Sequence, residues 1–103
     1  MAEASRRAWS AADLGRTCHL PFGSYPADVA AGINLFDLLV HCSDIALAVE
    51  VPMTGRAELW EIALVVARRV VSARDRDLEH YGPPRNAPPD APAAARLRAY
   101  LGR

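Results

Sequence analysis

The chain has 103 residues, 51% of them apolar, which is enough for one small domain and too little for two. Twelve basic residues, all arginine, balance twelve acidic ones, and no stretch concentrates arginine, so nucleic acid and anionic membranes are not expected partners. The N-terminus lacks the apolar centre of a signal peptide and no run approaches the roughly 18 apolar residues of a membrane span, so a cytoplasmic protein without a membrane partner is expected.

Residues 1–14 are rich in alanine and short of larger apolar positions, and read as a short or frayed helix with Ala8, Trp9 and Ala12 on its contact side. Residues 16–25 are an extended loop, with Pro21 and Gly23 ending any helix and room for a brief strand. Ser24 to Pro26 supply the entry to a long helix over 27–50, in which Gly32 is a weak point and which Pro52 stops. VPMTG (51–55) is a turn, and Glu58 stands in a loose capping-box position three residues after Gly55.

A second long helix is expected over 55–80. Leu59, Ile62, Ala63, Val66, Val70 and Ala73 form its inner face, while Glu61, Arg68 and Asp75 lie opposite and Arg69 joins the solvated side. YGPPRNAPPD (81–90) holds four prolines and reads as a stiff strap. Asp90 is the expected N-cap of a short helix over 91–101, whose Leu97 and Leu101 dock on the bundle. The expected fold is therefore all-α: two long helices, short N- and C-terminal helices, and the extended loop at 16–25.

The chemistry concentrates in FDLLVHCSDIA (36–46). Asp37, His41 and Asp44 follow at i, i+4, i+7 and share an arc of roughly 60° on a helix. Ile33, Val40 and Leu47 flank one side of this stripe and Leu38 and Ile45 the other, so the helix is apolar nearly all round and is expected to be largely buried, with the stripe turned inward. A buried polar stripe needs hydrogen-bond partners or a metal. Asp37 and His41 can reach one divalent ion from a single helix, or can form a hydrogen-bonded acid–imidazole pair. Asp44 can stand behind His41, accepting its imidazole N–H or positioning a bound water, or can make an ordinary contact between helices. His19, before the Leu-Pro-Phe-Gly turn, and His80, at a helix C-terminus, read as surface residues. Cys42 is expected to fill the core, Cys18 to lie in the loop with both thiols free, and Trp9 and Trp60 to anchor packing. There is no phosphate loop and no nucleophile elbow.

Three segments, HLPFGSYPAD (19–28), FDLLVHCSDIALAV (36–49) and EHYGPPRNAPPDAPAAARLRAYLGR (79–103), together resemble the metal-binding domain of the mycothiol-dependent maleylpyruvate isomerase family, within the DinB/YfiT-like helical-bundle superfamily. The resemblance covers most of the chain and implies a DinB-like bundle with Asp37 and His41 as metal ligands, zinc being the first expected ion. It also implies a mycothiol-like small thiol, an electrophilic small-molecule substrate, and isomerase or S-transferase chemistry. Two departures bear on the site. Ser43 stands where the family carries a tryptophan, and a further histidine on an early helix of the longer family chain has no counterpart here.

The expectation is thus an N-terminally truncated, C-terminal half of the bundle whose two ligands hold metal weakly. The alternative is a non-catalytic helical interaction module that dimerises through an exposed bundle face, which could bring two Asp37/His41 pairs together.

Overall fold

The computed structural model of the protein describes residues 2–21, 23–53, 55–71, 76 and 81–103. Among them are four helices, α1 (Ala2–Ser10), α2 (Ala27–Ala48), α3 (Ala57–Val70) and α4 (Ala93–Tyr100), and two strands, β1 (Thr17–Leu20) and β2 (Gly23–Pro26). The expected all-α fold is corrected to a mostly helical one with a small antiparallel sheet, because the segment expected as a loop is a hairpin. Its register pairs Thr17 with Pro26, Cys18 with Tyr25, His19 with Ser24 and Leu20 with Gly23. The side chains alternate with a period of two: Cys18, Leu20 and Tyr25 are half-buried while Thr17, His19 and Ser24 are exposed. Leu20 and Tyr25 pack on the main core, which fixes the register.

The start of α2 has no side-chain cap, and Pro26 occupies the N-cap. The amides of Ala27 and Asp28 instead donate to the carbonyls of Arg16 and Leu14, so the loop before the hairpin satisfies the first helical donors. The helix ends two residues short of the expected 50, in a Schellman turn. Glu50 is left-handed (φ 57°), its N–H donates to Leu47 O, and Val51 N–H donates to Ala46 O, just before Pro52. Helix α4 closes the same way: Gly102 has φ 79°, its N–H donates to Ala99 O, and Arg103 N–H donates to Arg98 O.

The core lies where α3 packs between α2 and α4. Ile33, Phe36 and Val40 of α2 meet Trp60, Ala63, Leu64 and Ala67 of α3, and Leu97 and Leu101 close it from the C-terminus. Docking of Leu97 and Leu101 and the anchoring role of Trp60 are as expected; Trp9 is only half-buried, on a helix that buries nothing. The inner face of α3 is rotated by about one residue from the expected one, so Ile62 is half exposed while Trp60 and Leu64 are buried. Alanines at 63 and 67 cause this: with no side chain beyond Cβ they allow close approach, and the larger neighbours take the flanks.

Helix α3 does not reach residue 80 unbroken, since Val71 is extended (φ −84°, ψ 106°); Ala73, Asp75 and His80 lie outside the described residues. Neither expected helix cap forms. The N-caps are Arg56 and Pro92, and neither makes a side-chain capping bond; Glu58 lies 3.7 Å from Arg56 Nε instead.

Gly32 sets the separation of the two long helices: a Cβ there would stand 2.6 Å from Val66 Cγ2. Because valine is stiff in a helix, Gly32→Ala is expected to lower stability by about 1 kcal/mol, overpacking outweighing helix propensity. In a Val66→Ala background the same change should raise stability by about 0.5–1 kcal/mol, so a urea-denaturation double-mutant cycle will show opposite signs. Separately, Glu50→Gly relieves the left-handed backbone and should raise stability by about 1 kcal/mol, seen as a higher melting temperature.

Candidate functional site

The buried face of α2 is centred on Ile33, Phe36, Val40 and Ser43, about a quarter turn away from the stripe of Asp37, His41 and Asp44. The stripe therefore lies at the edge of the core, which corrects the expectation that it points inward. Asp37 and His41 stay 60% and 62% exposed at the side chain, with Asp37 Oδ1 3.2 Å from His41 Nε2. The helical spacing brings these two together as expected.

Asp44 has other partners. Its carboxylate accepts from Arg98 Nη1 at 2.7 Å and from Arg103 Nε at 3.1 and 3.2 Å, so it holds the C-terminal segment to α2 and is no support for His41. Arg98 Nη1 also donates to Ser43 Oγ, and Ser43 in turn donates to Val40 O at 2.7 Å, so the one buried polar residue on this face is satisfied. Ser43 is a small side chain, and its hydroxyl meets the Arg98 guanidinium directly.

The C-terminal turn delivers Arg103 to this place. Gly102 needs its positive φ, and a Cβ there would lie 2.6 Å from the Gly82 backbone, so the end of α4 rests directly on the strap. Arg76 joins both pieces, donating to Gly82 O at 2.5 Å and to Tyr100 O at 2.7 Å with its guanidinium 4.8 Å above the Tyr100 ring. Together these contacts shape a pocket of about 200 Å³. Asp37, His41, Tyr81 and Arg103 line its polar side, and Phe36, Val40 and Leu101 its apolar floor. Arg98, Arg103, Ser43 and Tyr81 were not assigned roles from the sequence; the only signal was the closing Leu-Gly-Arg, in which glycine marks a left-handed turn after the helix.

Two donors 3.2 Å apart, each about 2.0–2.1 Å from an ion, subtend roughly 100° there, near the tetrahedral angle, so the pair fits two adjacent positions of a zinc site. Among the described residues no group of three or more His, Cys, Asp or Glu side chains converges to complete it. His19 lies on the hairpin, exposed, with Nδ1 2.8 Å from Ser24 Oγ. Cys42 is exposed rather than a core filler, because it lies opposite the buried face; Cys18 is half-buried, and both thiols are free.

No protein-family model, no curated protein and no solved structure matches this chain.

Partial desolvation of Asp44 pushes its pKa up, but hydrogen bonds and charges from Arg98 and Arg103 outweigh this and hold it below the ordinary 3.8. The native state therefore favours the ionised form more than the unfolded chain does. The stability this lends is complete above the ordinary carboxylate pKa and is lost as pH falls through 3.8 toward the lower native value. Because the Asp44 side chain is 37% exposed, Asp44→Asn is expected to cost only about 1 kcal/mol at neutral pH. Urea-denaturation midpoints measured from about pH 6 down to about pH 3 should draw closer together for the two proteins once the pH falls below 3.8. A constant gap between them at every pH would show that the Asp44 charge is not what ties the C-terminus down.

Proposed function

We propose that this protein is a divalent-metal-binding helical-bundle protein of the mycothiol-dependent maleylpyruvate isomerase/DinB-like class, with Asp37 and His41 as two of its ligands and zinc as the expected ion. The observation that carries this reading is the 3.2 Å Asp37–His41 pair, one helical turn apart, open to solvent on the wall of a pocket. The three segments that resemble the family support the same two positions.

In that class the bound metal supplies the charge that lowers the pKa of a small thiol, so that the thiolate adds to an electrophile. The residues of this chain have separate tasks. Asp37 and His41 present oxygen and nitrogen donors from one rigid helix. Arg103, held by Asp44, puts a cation on the pocket wall where an acidic substrate would sit. Phe36, Val40 and Leu101 keep water from its apolar part.

At about 200 Å³ the pocket is smaller than the range usual for drug-sized ligands, so it suits a small organic acid and excludes a whole sugar-linked thiol, whose bulk would remain outside. The cytoplasm, where small thiols stay reduced, is the proposed location.

Zinc titration of the full chain against a chromogenic chelator tests the assignment. The wild type should bind in the micromolar range or weaker, as two protein ligands allow, and His41→Ala and Asp37→Ala should each weaken binding at least about tenfold. Both side chains are exposed, so melting temperatures should stay within the roughly 0.5 kcal/mol scatter of surface substitutions. Equal zinc affinity in the wild type and in the Asp37→Ala/His41→Ala double variant would remove the proposal.

A further inference from the structure

Helix α2 carries a second apolar face, opposite the one that builds the core. Leu35, Leu38, Cys42 and Ile45, with Val49 at the C-cap just beyond the helix, succeed one another at intervals of three, four, three and four, within an arc of roughly 80°. Leu38, Ile45 and Val49 keep 58%, 64% and 59% of their surface, Cys42 is exposed and Leu35 is half-buried. None of these five positions is charged. This double-sidedness explains why α2 reaches the length and composition of a membrane span, contrary to the sequence expectation, although only part of it is buried.

We propose that this stripe pairs antiparallel with the same stripe of a second copy, about a twofold axis at Cys42. The 3–4 spacing is that of a coiled-coil seam, which keeps apolar residues facing a partner helix along its length. It is also nearly symmetric about Cys42: Leu38 lies four residues before it and Ile45 three after, and Leu35 and Val49 follow at seven residues in each direction. Such a pattern is self-complementary, as a twofold interface requires, because residue i of one copy meets residue j of the other and j meets i. Among the described residues, Leu38, Cys42, Ile45 and Val49 stay exposed, so this part of the face is open to a partner helix.

The charge balance agrees, since the chain is neutral overall and the seam brings no like charges together. Leu38, Ile45 and Val49 each leave more than half of their surface exposed, a row of apolar side chains of the kind that marks interaction sites. A seam of so few residues is smaller than a standard-size interface of about 1,200–2,000 Å², so the pairing is a weak and reversible one. This pairing does not depend on the metal reading.

Sedimentation equilibrium of the full chain in EDTA, from about 1 to about 300 µM, should show the 11.2 kDa mass rising toward twice that value. Ile45→Arg and Leu38→Arg should each keep it monomeric across this range with an unchanged melting temperature. A Cys18→Ser chain oxidised with diamide should form a disulfide-linked dimer through Cys42, the diamide taking up the two electrons and two protons that the thiols release. The same treatment of the Cys18→Ser/Ile45→Arg chain should give at most one tenth as much. A monomer throughout, a dimer indifferent to both arginine substitutions, or a monomer that instead floats with phosphatidylcholine vesicles would overturn the proposal.

Discussion

The carboxylate of Asp44 is the point at which the C-terminal part of the chain is joined to the long helix. It receives Arg98 from α4 and Arg103 from the residue just beyond the terminal turn, with Ser43 beside it taking a further hydrogen bond from Arg98. The Arg103 guanidinium that this acid holds lines the polar side of the pocket together with Asp37 and His41. Without the anchor, Leu97 and Leu101 would still favour burial, but apolar burial is non-directional and would not select where Arg103 points. The Gly102 turn and its seat on Gly82 complete the constraint by fixing the last residues against the strap.

Helix α2 serves three surroundings at once. One face builds the core, a second carries Asp37 and His41 on the wall of the pocket, and a third presents the Leu38–Cys42–Ile45–Val49 seam to solvent. Each face follows from the helical period, and each is supported differently: the core face by α3, the site face by the strap and C-terminus, the seam by the proposed second copy. The proposed metal chemistry and the proposed pairing therefore use different sides of the same rigid element.

The long helix, its termination before Pro52, the C-terminal helix with its two buried leucines and the Asp37–His41 pairing were all legible in the sequence. They depend on local periodicity, on proline and on one-turn spacing. The hairpin was only half legible, because alternation over four residues is a weak signal until Leu20 and Tyr25 find the core. Glu58 and Asp90, expected at helix starts, cap no helix, because Arg56 and Pro92 take the N-cap positions. At α2, where Ser24 to Pro26 were expected to make the entry, the backbone of Leu14 and Arg16 satisfies the first amides, and only the folded chain supplies those acceptors.

The apolar and polar residues of α2 were set by the sequence alone, and so was the one-turn distance between Asp37 and His41, because helix geometry needs no partner to define it. Which apolar face became core and which stayed in solvent was decided by tertiary packing. Gly32 and the alanines of α3 allow close approach on one side only, and this turned the polar stripe to the edge of the core and left Cys42 outside it. The partners of Asp44 were likewise a tertiary matter: Arg98 and Arg103 stand more than fifty residues away along the chain, and no local rule relates them to it.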